Sequence, residues 1–284
     1  MKKLVLGTAQ FKNFNYGTAK DNYKLNNNKI LEILNYAWDR GIKHFDTAPS
    51  YNSENIIGKF IKEKKISNEI KIITKIPSLG NSKNILKKTL KSVEISLKKL
   101  NIEKIYCLFV HNQKDFKKIK VEKFFFKNLK KEFKIEKFGF SVYDREIADK
   151  ITDEFPKICL QFPYNIVNNS FQTLKKNEGI FFGRSIFLQG LLISEKIKKV
   201  SKELKNRHKN YFNYIKNNNI DPIKLSLDYI YNNKKLNYII FGAKNISQIK
   251  EIVNYKIKNK PNLKVIRKIK SFFLKEDTDP RNWE

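Results

Sequence analysis

The sequence predicts an α/β protein folded as a (β/α)8 barrel, and three observations lead there. Eight short apolar runs rich in β-branched residues recur along the chain, separated by longer stretches of helical period. The interiors of these runs are almost continuously apolar, as parallel strands buried on both faces require. A length of 284 residues with 10 Gly and 7 Pro suits one large domain, residues 1–284, without long linkers. A doubly wound open sheet is the alternative. It needs a glycine-rich phosphate turn after its first strand, and GTAQFKNFNYG has no G-x-G-x-x-G spacing.

The elements follow in order. Strands are predicted over 2–8 (KKLVLGT), 43–48 (KHFDTA), 71–76 (KIITKI), 105–111 (IYCLFVH), 137–142 (KFGFSV), 158–164 (ICLQFPY), 181–187 (FFGRSIF) and 237–243 (NYIIFGA). Between the first two, NKILEILNYAWDRG places Ile30, Leu31, Ile33, Leu34, Ala37 and Trp38 at helical spacing and stops at Gly41. SENIIGKFIKEK opens with Ser53 as N-cap and Glu54 in the first turn. NILKKTLKSVEISLKKLN carries Ile85, Leu86, Leu90, Val93, Leu97 and Leu100 on one stripe, with lysines opposite. KIKVEKFFFKNLKKEF, DREIADKITDEF, DPIKLSLDYIYNN and NISQIKEIVNYKI read as further helices. The stretch 195–219 reads as a solvated lysine-rich helix, and the tail EDTDPRNWE as a surface extension.

Composition narrows the function. The formal net charge is +31, yet only 6 of the 59 basic residues are Arg and 53 are Lys. Recognition of bases and phosphates favours the bidentate Arg fork, and the lysines here are spread over the whole chain. A solvated lysine surface is therefore expected, with no nucleic-acid partner. No apolar run approaches the roughly 20 residues of a membrane span. MKKLVLGTAQF lacks the long apolar core of a signal peptide and reads as the first strand. Cys107 and Cys159 lie in strand-like runs and read as buried free thiols, which fits a cytoplasmic protein. Oligomeric state is unknown from the sequence.

In a (β/α)8 barrel the working groups project from the C-terminal strand ends. Asp46 closes the second predicted strand, and Tyr51 follows it. Lys75 closes the third and His111 the fourth, so four polar groups converge on one mouth. A free phenol is a weak acid at neutral pH, with a pKa of about 10. A neighbouring ammonium favours the phenolate and lowers that value, and an aspartate keeps the ammonium charged and oriented. Histidine can fix the angle of a substrate carbonyl, and no nucleophile is needed if hydride comes from a cofactor. Each residue also has a plainer reading: a turn aspartate, a loop tyrosine, one more lysine, a core histidine. Lys75 as a Schiff-base nucleophile in an aldolase-type barrel is another chemical option. No metal cluster is expected.

The motifs LGTAQF, GIKHFDTAPSYNSE, ITK and LFVHN occur in that order, followed by FGFSVYD, LQFPYN, SIFLQGLL and FGAKNISQIKEI. In this order the chain resembles the aldo-keto reductase superfamily over essentially its whole length. It is most similar to short bacterial members with surface-polysaccharide functions, through its LGTAQF…NYG opening and its GFSVYD-like fifth strand. The resemblance implies NAD(P)H-dependent reduction of an aldehyde or ketone, sugars and sugar nucleotides included. It makes Tyr51 the general acid, Lys75 and Asp46 its tuning pair, and His111 the orienting group. It implies that Ser141 and Gln161 hold the nicotinamide carboxamide and that Gly7 and Thr8 flank the nicotinamide ribose. Ser185, Leu188 and Gly190 would line the pyrophosphate path. Gly242, Ala243, Lys244, Gln248 and Glu251 would surround the adenosine end.

Departures from the family pattern bear on the cofactor. Val142 follows Ser141 where many members have Asn, and Arg184 stands where an aromatic often stacks under the nicotinamide. A planar guanidinium could stack there, or bind the pyrophosphate or an anionic substrate group. Gln248 replaces a frequent Arg, and Ile252 a frequent Asn, leaving Lys244 as the candidate for a 2′-phosphate. NADP is expected on that ground, with NAD still open. Asn52 replaces a usual Gly and tolerates a positive φ. The alternative function is a non-catalytic barrel that binds a nicotinamide cofactor or a polyanion.

Overall fold

The structure, a computed structural model, describes residues 3–13, 16–18, 24–175, 178–256 and 260–283. Its centre is a closed barrel of eight parallel strands whose neighbours follow chain order, with the last strand hydrogen-bonded to the first. The strands are β1 (Lys3–Gly7), β2 (His44–Asp46), β3 (Lys71–Ile76), β4 (Lys104–Val110), β5 (Lys134–Ser141), β6 (Cys159–Pro163), β7 (Phe181–Arg184) and β8 (Tyr238–Gly242). Each predicted strand is present. The seventh is shorter than its apolar run: it ends at Arg184, because Ser185 takes a left-handed φ of 54° that breaks the ladder.

Ten helices surround the barrel among the described residues: α1 (Asn27–Asp39), α2 (Glu54–Lys64), α3 (Ile85–Leu100), α4 (Phe116–Val121), α5 (Phe125–Glu132), α6 (Arg145–Glu154), α7 (Lys202–Asn217), α8 (Pro222–Tyr231), α9 (Ile246–Val253) and α10 (Leu263–Lys270). Gly41 follows α1 at φ +82°, as its place after the last apolar residue predicts. No described helix is long and apolar enough to cross a membrane.

The structure departs from the sequence reading in five places. The run KIKVEKFFFKNLKKEF forms α4 and α5, because Phe124 adopts φ +63° and interrupts the helix. The connection from β6 to β7 holds turns and no helix among its described residues. Ser53 precedes α2, but its hydroxyl makes no cap bond. Helix α7 is not simply solvated: Leu204, His208, Tyr211, Phe212 and Ile215 form a buried face. The tail is docked rather than extended. Asp277 is buried and takes a bidentate pair from Arg207 (2.7 and 2.6 Å), while Trp283 donates its indole N–H to the Asp277 carbonyl.

The barrel interior is filled by Val5, Ile73, Phe109, Phe182, Tyr238 and Ile240, with Cys107 and Cys159 among them as buried, unpaired thiols. A second, larger apolar layer lies between strands and helices. Filling the interior closes the barrel's middle, so polar chemistry is confined to the rim.

Candidate active site

Register brings the predicted residues to one rim. Gly7 pairs with Asp46 on one side and with Gly242 on the other, Lys75 pairs with Phe109, and Ser141 pairs with Gln161. Tyr51 ends a short 3-10 turn, Pro49–Tyr51, that β2 feeds, and Asn52 closes it at φ +55°. Asparagine takes that conformation at lower cost than a β-branched residue would.

Lys75 is the centre of the arrangement. Its ammonium is buried and donates to both Asp46 carboxylate oxygens (2.9 and 2.8 Å) and to the Thr47 carbonyl (2.9 Å). All three ammonium protons are thereby matched to acceptors, which is what a charge at this depth requires. Gln161 donates its amide to Asp46 Oδ1 at 2.7 Å. The same ammonium lies 4.9 Å from the centroid of the Tyr51 ring, whose other neighbour is His111, edge-on at 6.0 Å between ring centroids. The structure therefore brings Asp46, Tyr51, Lys75 and His111 together.

The electrostatics differ from the sequence expectation in one respect. Burial, and then the Asp46 carboxylate, raise the Tyr51 pKa above its ordinary value, against a lowering influence from Arg184. The expected depression by Lys75 does not emerge: burial dominates, the Asp46 carboxylate adds to it, and Arg184 is the cation that opposes them. Burial likewise lowers the Lys75 pKa, while Asp46 opposes the shift. His111 falls to about 3 through burial and the charges of Lys75 and Arg184, so its ring is neutral at ordinary pH.

A groove of about 490 Å³ runs from Asp46 and Tyr51 past β7 to the start of α9. Of the residues expected along a cofactor, Gly7, Arg184, Ser185, Gly190, Gly242, Lys244, Gln248 and Glu251 line it. Thr8, Leu188 and Ala243 are fully buried and lie outside its lining, as do Ser141 and Gln161. The backbone of 185–190 is forced into left-handed geometry at Ser185, Leu188, Gln189 and Gly190, with φ of 54°, 45°, 53° and 96°. Three of the four are not glycine, so strain is stored beside the groove and held by the fold. Thr18 N–H donates to the Gln189 carbonyl and Lys198 N–H to the Thr18 carbonyl, which ties this turn across to the loop after β1.

The sequence reading missed several contributors. Tyr16 and Gln189 line the groove, and Tyr16 lies close enough to Tyr51 and Arg184 for its own ionisation to respond to theirs. Only the NYG tripeptide hinted at Tyr16. Tyr143 was also missed: the guanidinium carbons of Arg184 and Arg281 lie 4.1 and 3.8 Å from its ring centroid. Ser53 has a second role, because its hydroxyl contacts Thr8 Oγ1 (2.9 Å) and Thr47 Oγ1 (3.0 Å), both beside Asp46. No cluster of three or more His, Cys, Asp or Glu suited to a metal is found among the described residues.

A family model described as the aldo/keto reductase family matches residues 3–272. Among solved structures, the glycerol dehydrogenase AKR11B4 of Gluconobacter oxydans is similar at 18% identity and a TM-score of 0.67, over 94% of this chain and 90% of that one. A candidate aldo-keto reductase of Pseudomonas aeruginosa is similar at 20% identity and a TM-score of 0.65, over 88% of each chain. At these identities the likeness establishes the shared barrel. No curated protein sequence gives a significant match.

Proposed function

The chain belongs to the aldo/keto reductase family and is an oxidoreductase, and from that premise we propose that Tyr51 protonates the oxygen of a small carbonyl substrate at the rim. NAD(P)H, when bound, supplies the hydride. The substrate is an aldehyde or ketone, and the surface-polysaccharide resemblance points to a sugar or sugar-nucleotide carbonyl. The observation that carries this reading is Lys75, locked onto Asp46 and set 4.9 Å from the Tyr51 ring where the groove opens.

Each residue has a task that its environment supports. Tyr51 keeps its proton because burial disfavours the phenolate, so it arrives at the reaction as a donor. Once the proton leaves, Lys75 and Arg184 are the positive charges beside the phenolate. Neutral His111 retains one ring N–H that can orient the carbonyl oxygen against the phenol. Asp46, held by Lys75 and Gln161, fixes the ammonium in place.

The groove's residues fit a dinucleotide. A Cβ on Gly242 would come within 3.0 Å of the Gln10 side chain, and one on Gly7 within 3.1 Å of Ile240, so both lining positions are tight for any larger residue. At the far end Lys244 is half-buried, and its pKa falls to about 8 through burial and the nearby Lys198 charge. Two lysines there support NADP over NAD, the 2′-phosphate being the group that would use them. The buried thiols Cys107 and Cys159 support a reducing, cytoplasmic setting.

Tyr51→Phe removes the proton and little volume. It should still bind NADPH in a fluorescence titration, while turnover of an aldehyde panel falls by about 100-fold or more. Turnover surviving the substitution would remove Tyr51 from its role.

A further inference from the structure

Arg184 sets a positive charge beside Tyr51, but carbonyl reduction does not explain the planar fork that carries it. The residue ends β7 and lines the groove together with Asp46 and Tyr51. Its guanidinium lies against the Tyr143 ring at 4.1 Å and donates one long bond, 3.4 Å, to the Val142 carbonyl. A guanidinium has five N–H donors in a planar fork. Among the described residues Arg184 forms no ion pair, and the neighbouring carboxylates are occupied elsewhere. Asp46 is held by Lys75 and Gln161, and Asp279 is clamped by Arg281, which reaches it through Nε at 2.9 and 3.0 Å as well as through Nη2.

The position within the groove decides which ligand uses this fork. The charge of Arg184 is felt by Tyr16, Tyr51, Lys75 and His111, so it stands at the reacting end. Lys244 stands at the opposite end, beside Gln248 and Glu251, with the Lys198 charge within its reach. Contact with the Tyr143 ring at 4.1 Å restrains the guanidinium, which lowers the entropy lost when it engages an oxyanion.

We propose that Arg184 receives an oxyanion, a carboxylate or phosphate, carried by the carbonyl substrate itself, so that the enzyme selects anionic aldehydes or ketones. This rests on the carbonyl-reductase reading and narrows it to a substrate class. The phosphates of the cofactor are the competing source of the same chemistry, and the test separates the two.

The experiment uses matched pairs in about 0.15 M salt, where the lysine surface is screened beyond about 8 Å. Succinic semialdehyde is compared with butanal, and glyceraldehyde 3-phosphate with glyceraldehyde, as kcat/KM at saturating NADPH. In the native protein the anionic member of at least one pair should be favoured by about 10-fold or more, the order expected for a hydrogen-bonded charge pair. Arg184→Gln should bring that ratio to within about 3-fold of unity, although the surface charge that steers anions is almost unchanged. Arg184→Lys keeps the charge and loses the fork, and it should lower the ratio at least about threefold, which serves if the Gln variant does not fold.

A native ratio near one overturns the proposal, as does a ratio that survives both substitutions. A raised NADPH Kd in Arg184→Gln with the ratio retained assigns the guanidinium to the cofactor and also overturns it. If neutral aldehydes are reduced without anionic preference, this inference alone fails. If no aldehyde is reduced with either cofactor, the carbonyl-reductase reading fails and takes this one with it.

Discussion

Ser53 shows how a single hydroxyl can be read correctly in place and wrongly in role. Its position before an amphipathic helix makes it an N-cap by sequence, and it does precede α2. Its oxygen instead joins Thr8 Oγ1, which donates to the Asp46 carbonyl, and Thr47 Oγ1, on the residue whose carbonyl accepts from Lys75. Thr8, Thr47 and Ser53 are all fully buried, so a chain of hydroxyls stiffens the backbone on which the Asp46–Lys75 pair depends. Such a link is invisible in sequence, because nothing in a run of residues says that Thr8 and Ser53 will face one another across β1 and β2. The four residues of the candidate site were legible for the opposite reason: each lies at or shortly past the end of an apolar strand, and strand ends in a barrel share one rim. Ser53→Ala leaves two buried hydroxyls with fewer partners, at about 1–3 kcal/mol. We expect kcat to fall about 10-fold with KM little changed, and Ser53→Thr to restore most of it. A lowered melting temperature with kcat intact would make Ser53 structural only.

At the scale of elements, the strands were legible because burial on both faces demands unbroken apolar sequence, a signal that depends on no partner. Helix breaks were less so. Phe124 carries the break between α4 and α5 at φ +63°, yet no Gly, Asn or Pro marks it, and it is 66% exposed. The fold imposes that conformation, since an isolated chain disfavours it for a bulky residue. Gly58 is the converse case, an ordinary-looking helical glycine whose reason lies in a neighbour. A Cβ there would come within 2.0 Å of the Lys99 carbonyl oxygen and 3.0 Å of the Leu100 carbonyl carbon, so α2 and α3 cross at backbone contact. Asn101 donates to the Gly58 carbonyl at 3.3 Å across the same crossing. Helix propensity alone makes Gly→Ala favourable by about 1 kcal/mol. Overpacking against rigid backbone opposes it by about 1–3 kcal/mol, and should win because a carbonyl cannot rotate away as a side chain can. Gly58→Ala is therefore expected to lower the denaturation midpoint. An increase would mean that α2 slides freely over α3.

At the scale of the whole molecule, the excess of 59 basic over 28 acidic residues makes the folded state repel itself, which composition shows without any structure. What composition hides is where the chain's three histidines go. Burial lowers the pKa of all three: His44 to about 4, His111 to about 3, and His208 below its ordinary value. Each folded-state value lies beneath the unfolded one of about 6.5, so between those limits the unfolded chain binds more protons. Stability from this source is fully present above about pH 6.5 and is lost as the pH falls toward 4. Glu54 and Glu251 oppose the trend, because burial raises both and the folded state then takes up their protons first. The carboxyls of Glu94, Glu136, Glu195, Glu203, Asp221 and Asp279 are held below their ordinary values by hydrogen bonds and nearby cations against burial. Their contribution is lost in the same direction as that of the imidazoles, and the sum is a net loss on acidification. Salt separates this effect from repulsion, since screening acts on exposed charges and hardly on buried ones. Adding about 0.5 M salt should raise the melting temperature at pH 7.5 and also at pH 5, while the difference between the two pH values largely persists. If salt abolished that difference, surface repulsion would account for the acid sensitivity and the buried imidazoles would contribute nothing to it.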